Sequence, residues 1–140
     1  MTTDTLAPRR LDKMSLGLWG AQTLLALFYS GVGAMKAFSP LESLTQMLPY
    51  AGEMLTFVRF IGTMELLGAI GLILPALTRI QPWLTPAAAA GLSFVQASAI
   101  VFHAMRGETA ETLVMNLVLL ALSLFILWGR LKARPIAPRA

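Results

Sequence analysis

The chain contains no cysteine, a single histidine (His103) and few charges, with 11 Lys and Arg and 7 Asp and Glu among 140 residues. The missing thiols exclude structural disulfides, thiolate metal sites and any dithiol relay that would pass electrons between a quinone and thiol partners. One histidine excludes a bis-histidine haem or a multi-histidine metal centre within one chain. A His/Met haem stays formally open because eight methionines are present, although methionine commonly fills gaps in apolar packing. No basic cluster is interleaved with aromatics, so nucleic acid is not an expected partner. No metal site is expected.

What the chain has instead is apolar length. Hydrophobic residues make up 56% and charged residues 13%, against about 25% charged in soluble proteins, and mean hydropathy is +0.70. A helix needs about 20 apolar residues to span a bilayer. Four stretches qualify, 14–38, 55–77, 86–105 and 110–131, which predicts one all-α domain, a four-helix transmembrane bundle. Residues 1–13 and 132–140 are expected as tails too short for a soluble catalytic domain. The first run opens with Arg9, Arg10 and Lys13 like a signal peptide, but it is longer than a signal's apolar core and further spans follow, so a retained anchor is expected.

The basic residues set an orientation. Arg9, Arg10, Lys13, Arg79, Arg130, Lys132, Arg134 and Arg139 fall on one side of the predicted spans, and Lys36, Arg59 and Arg106 on the other, together with Glu42, Glu53, Glu108 and Glu111. The positive-inside rule then puts both termini in the cytoplasm, with Trp19, Trp83 and Trp128 anchoring the same face. The net charge of +4 and pI near 10.1 are read as membrane orientation and attraction to anionic lipid.

Between the first two spans, Ser39-Pro40-Leu41-Glu42 offers an N-cap, a first-turn proline and a glutamate three residues after the cap. Leu41, Leu44 and Leu48 follow at helical spacing until Pro49. A short interfacial helix is predicted there, as a lid, a docking surface or a plain connector tiling the bundle end. Thr85-Pro86 is read as the start of the third span, Pro75 as a bend in the second, and the segment from Arg134 to Ala140, with two prolines, as mobile.

The most informative residue is Glu65, near the middle of the run from Phe57 to Leu77. A charged side chain inside a span costs about 2.5–3.5 kcal/mol on the lenient scales, so it faces the bundle interior or a wet cavity. Polar and small residues fall on one face of each span: Gln22, Tyr29, Gly33 and Lys36; Gly62, Glu65, Gly68 and Ala69; Ser93, Gln96 and His103; Asn116 and Ser123. Four such faces predict a common polar interior. By helical rise Lys36, His103 and Asn116 belong in the non-cytoplasmic half, with Glu65 near the midplane. Lys36 and His103 are the candidates to neutralise Glu65, while Arg59, on another face, is expected at headgroups, at Glu53 or at another subunit. Each residue also has a structural alternative. Glu65 can be a protonated hydrogen-bonding carboxyl. Lys36 can snorkel outward, His103 can make an interfacial hydrogen bond, Gln96 and Asn116 can be interhelical glue, and Tyr29 can be a packed aromatic.

The segments FYSGVGAMKAFSP (residues 28–40) and FIGTMELLGAIGLILP (residues 60–75), then residues 97–107 with the histidine and the asparagine-bearing start of the last span, resemble DoxX-like membrane proteins. The resemblance implies a compact four-helix bundle in the bacterial cytoplasmic (inner) membrane, with Lys36, Glu65, His103 and Asn116 at matching polar positions. The family takes its name from membrane subunits associated with quinone-linked sulfur oxidation, and its distant animal relatives act as receptor-assembly chaperones. Family membership alone does not transfer activity.

Two function classes follow. In the first, the bundle binds a quinone or similar amphiphile in its outer half, as an accessory membrane subunit of an oxidoreductase whose electrons come from a protein partner. Lys36, His103, Tyr29 and Asn116 then donate hydrogen bonds, and Glu65 exchanges a proton. In the second, the protein is a chaperone or scaffold whose polar cluster fixes helix register. A proton-coupled transporter ranks third, because four spans are few unless the protein forms a homo-oligomer.

Overall fold

The computed structural model describes residues 12–108 and 110–139. Arg9 and Arg10, expected among the orienting basic residues, lie outside the described residues. The chain is all-helical, with α1 (Lys13–Phe38), α2 (Leu41–Met47), α3 (Leu55–Thr78), α4 (Leu84–Met105) and α5 (Ala110–Trp128), and no strand among the described residues. A 3-10 turn, Pro49–Gly52, precedes α3, and a π-helical turn, Gly129–Ala133, prolongs α5.

Three helical stretches are long and apolar enough to cross a membrane: Leu55–Thr78, Leu84–Met105 and Ala110–Ala133. α1 is as long, at 26 residues, but Gln22, Tyr29 and its glycines dilute its hydropathy, and it is not among the three. The long helices alternate in direction. α1 packs chiefly along α3, α3 along α4, and α4 along α5. Leu25, Tyr29, Leu72, Leu92 and Ile126 fill the centre, while Leu24, Leu27, Phe60, Leu67, Ile70, Leu74 and Phe94 point outward, an apolar coat suited to lipid.

Two glycines bring α1 and α3 together. A Cβ added at Gly62 would lie 2.6 Å from Lys36 Cβ and 2.8 Å from the Gly33 carbonyl oxygen, and one at Gly33 would lie 2.9 Å from the Gly62 carbonyl oxygen. Only a missing side chain permits that approach.

Pro75 lies inside α3, where it removes the backbone N–H that would bond the carbonyl of Gly71. Thr85 Oγ1 of α4 donates to that carbonyl instead, at 3.1 Å. Thr85 is thus a bridge between helices, and the expectation that it caps α4 is corrected: the helix starts two residues earlier than expected, at Leu84 rather than Pro86, and its N-cap position is Trp83. α3 closes at Arg79 in the left-handed region, φ 56°, where glycine is more usual.

The short helix α2 is present, but the predicted capping box is not. Ser39 closes α1, its N–H bonding Met35 O, and Pro40 at the N-cap of α2 has no side-chain oxygen to offer. What holds α2 is Leu44, fully buried against Ala51 and Val58, worth about 1.5–3 kcal/mol of apolar burial. The segment 134–139, expected to be mobile, folds back over the bundle end: the backbone N–H of Arg139 donates to Arg79 O at 2.9 Å, and Arg134 pairs with Asp12 at the start of α1.

Candidate functional site

Glu65 sits on the inner face of α3 with 2% of its surface exposed. Lys36 Nζ, in the last turn of α1, donates to Glu65 Oε1 at 2.8 Å, so the Gly33–Gly62 approach and the ion pair occupy the same stretch of the α1–α3 contact. The lysine side chain keeps 17% exposure, so the charge pair lies between the packed interior and the bundle end. Glu65 Oε2 is buried and has no partner among the described residues.

Deeper in the same wall, Gln96 of α4 donates through Nε2 to the hydroxyl of Tyr29 on α1, at 2.8 Å, while its Oε1 is buried and unpartnered. Either orientation of that amide leaves one end turned away from Tyr29 without a partner. Glu65 and Gln96 both line a small cavity of about 110 Å³ and a larger one of about 710 Å³. The two cavities share Lys36, Tyr50, Glu65, Gln96, His103 and Asn116. The larger also carries apolar lining from Phe28, Val32, Met115 and Leu119, within the size range of small-molecule sites, about 300–1,000 Å³.

His103 does not meet Glu65. Its Nδ1 stands 2.6 Å from Glu108 Oε2, in the short link between α4 and α5, and Arg106 Nε lies 3.3 Å from the other oxygen of the same carboxylate. Neutralisation of Glu65 by His103 is therefore corrected: the histidine has a nearer acid five residues on. Asn116 Nδ2 donates to Thr112 O one turn back on its own helix, at 2.9 Å, so it faces the cavities without bridging helices. Arg59 makes no ion pair with Glu53 among the described residues; it is partly exposed, and its Nη1 donates to the Lys36 carbonyl at 3.0 Å, a second tie between α1 and α3.

Two features of this site carried no sequence signal strong enough to place them. Tyr50, in the 3-10 turn, forms an edge-on cluster with Phe102 and His103, and Arg106 lies 5.3 Å from the Tyr50 ring centroid. Burial first, then the charges of Glu108 and Glu65, hold the Tyr50 hydroxyl above its usual value, so it stays a neutral donor on the cavity wall. The second is the carboxylate of Glu108, whose place in a loop between spans suggested only a charge on the acid-rich face. Among the described residues no group of three His, Asp or Glu side chains gathers closely enough to hold a metal ion.

The arrangement offers a partly open, largely apolar volume with a charge pair and the neutral Tyr50 phenol in its wall, and buried polar atoms still short of hydrogen bonds among the described residues. The model of the DoxX-like family matches residues 20–126, a stretch that includes every residue of this site. Neither the curated proteins nor the solved structures yielded a match.

Proposed function

The chain belongs to the DoxX-like family, and on that premise we propose that it is a membrane subunit that binds a small quinone-like amphiphile in the outer cavity, beside an oxidoreductase partner that exchanges the electrons. α1 completes a four-span bundle in this reading, and the arginine-rich end, with both termini, faces the cytoplasm of a bacterial inner membrane. The apolar wall of Phe28, Val32 and Leu119 takes the tail, Lys36, Tyr50, His103 and Asn116 surround the headgroup, and Tyr29, buried behind that wall, reaches the site only through its hydrogen bond with Gln96.

One observation carries the reading: Glu65 Oε2 and one end of the Gln96 amide are buried without partners on a cavity wall. Leaving such atoms unpaired costs about 1–3 kcal/mol each, and a ligand hydroxyl would remove that cost. Glu65 accepts a hydrogen bond from the reduced form and takes up one of its two protons as the partner protein removes two electrons, the second proton leaving to water at the partly exposed Lys36 end, and Lys36 holds the carboxylate in place.

A second reading, a chaperone or scaffold for another membrane protein, is favoured by the stitching of α1 to α3 through Gly33, Gly62 and the Lys36–Glu65 pair, which fixes helix register without any ligand. Lipid extraction from gently purified protein separates the two. Stoichiometric quinone in the wild type, lost in Glu65→Gln, is the expected result. Protein free of quinone, together with undiminished quinone-dependent activity in a Glu65→Gln strain, would overturn the binding role and leave the scaffold.

A further inference from the structure

The opposite end of the bundle contains a second buried charge, which the proposed function does not use. Arg130 lies in the π-helical turn after α5, and 5% of its surface is exposed. Its Nε donates to Gln22 Oε1 at 2.6 Å and its Nη1 to Arg134 O at 3.2 Å, and its guanidinium carbon stands 5.3 Å from the Trp19 ring centroid. Its Nη2 is buried with no partner among the described residues. All of these partners are neutral. The one described acid at this end, Asp12, is already held by Arg134 Nε at 2.6 Å and by the backbone N–H of Ser15 at 2.8 Å. Among the described residues this buried guanidinium, with neutral partners and a free donor, lacks a counter-anion.

The surroundings indicate what that anion is. Two cavities, about 370 and 610 Å³, flank Arg130 and share Arg79, Arg130, Pro135 and Ile136 in their walls. Arg134 lines the first and Arg139 the second, and neither Arg79 nor Arg139 has an ion-pair partner among the described residues. Trp83 and Leu131 close the larger cavity on its apolar side. Several guanidinium forks around one volume suit a tetrahedral oxyanion that accepts on several edges at once. Basic pockets between spanning helices, with an apolar border, suit the headgroup of an anionic lipid.

We propose that Arg130, with Arg79 and Arg139 at the rim, binds a phosphate-bearing anion of the kind carried by an anionic lipid headgroup at the basic end of the bundle. The site is independent of the outer cavity, and its failure would leave the reading of that cavity untouched.

The test follows thermal unfolding of the full chain in a neutral detergent while phosphatidylglycerol, phosphatidylcholine or inorganic phosphate is titrated in. Phosphatidylglycerol is expected to raise Tm saturably, and phosphatidylcholine to leave it unchanged. Arg79→Gln and Arg139→Gln, both at exposed positions, should keep the unliganded Tm and weaken the lipid response about fivefold each, the factor one basic residue contributes near an anionic surface. Arg130→Lys, which keeps the charge but loses the fork, should weaken it further. A phosphate response equal to that of the lipid assigns a free phosphate to the site; a lipid response without a phosphate response assigns the headgroup. Equal responses to both lipids, or wild-type binding in all three variants, would overturn the proposal.

Discussion

The two ends of the bundle handle a buried charge in opposite ways. At the outer end, the Glu65 carboxylate meets a formal counter-charge in Lys36, and what remains unsatisfied is its acceptor Oε2. At the basic end, among the described residues, the Arg130 guanidinium meets an amide oxygen, a carbonyl and a ring, all neutral, and what remains unsatisfied is a donor, Nη2. One centre therefore calls for a ligand that gives hydrogen bonds, and the other for one that takes them. The difference also separates their roles in stability: the outer pair ties α1 to α3 by charge, whereas the basic end ties α1 to the end of α5 through Gln22, which is fully buried and donates in turn to Leu72 O at 2.5 Å.

The contrast can be broken experimentally, and the largest effect is expected at the outer pair. Glu65→Ala leaves Lys36 without its counter-charge and should cost about 3 kcal/mol of unfolding free energy, the lower edge for a broken buried pair because the partly exposed lysine can slide outward. Glu65→Gln, which keeps hydrogen-bonding capacity, should cost less; equal losses in equilibrium unfolding would refute a hydrogen-bonded role. The double variant Lys36→Met/Glu65→Leu should recover most of the loss, because removing both charges also removes their desolvation cost.

Next comes the close approach that positions this pair. Gly62→Ala pushes against Lys36 Cβ and should cost about 2 kcal/mol by overpacking, visible as a lower Tm in detergent. At the basic end, Gln22→Ala deprives Arg130 of its best acceptor and should cost about 1.5 kcal/mol, less than Glu65→Ala. A loss as large as that of Glu65→Ala would show that Gln22 does for its end what Lys36 does for the other.

The smallest effect belongs to Asp12, whose ion pair with Arg134 is exposed. The hydrogen bond from Arg134, and then that from the Ser15 N–H, hold the Asp12 carboxyl well below the usual carboxylate range. A depressed folded-state value means that the pair stabilises the fold at every pH above the unfolded value, about 3.9, and that this contribution fades as pH falls from there through the folded value. Asp12→Asn should therefore show a small loss that is constant across neutral pH and closes only below about pH 4. A difference from wild type that changes between pH 5 and 8 would rule out this assignment (about 3.9 being the upper limit of the window).

Much of the helical layout was legible because hydropathy reports long apolar helices directly. The bounds of all four moved by a few residues at most, and α1 differs only in being too dilute in apolar residues to count among the candidate spans. Glu65 stood out for the same reason, an acid in an apolar run, and the helical step to Lys36 put both on inward faces. The choice of partner was not legible. His103 and Lys36 were equal candidates by depth, and only the fold of the α4–α5 link brings Glu108 to the imidazole. Arg130 read as one more cytoplasmic anchor, since a sequence count cannot tell an arginine that points to headgroups from one turned inward by a π-helical turn. Gln22 lay on the polar stripe, but the residue it meets is 108 positions away. Thr85 read as a cap because the pattern Thr-Pro is local, while its true acceptor exists only when another helix lies alongside.

That acceptor bears on biogenesis. A proline-bearing segment entering hydrocarbon by itself carries an open carbonyl, and the bilayer core offers nothing to bond it. Thr85 follows after a link of only a few residues, so the hydroxyl that closes the carbonyl arrives on the next helix to emerge from the ribosome. α3 and α4 are thus suited to partition from the insertion machinery as a hairpin, with the carbonyl opened by Pro75 sealed before either helix meets acyl chains.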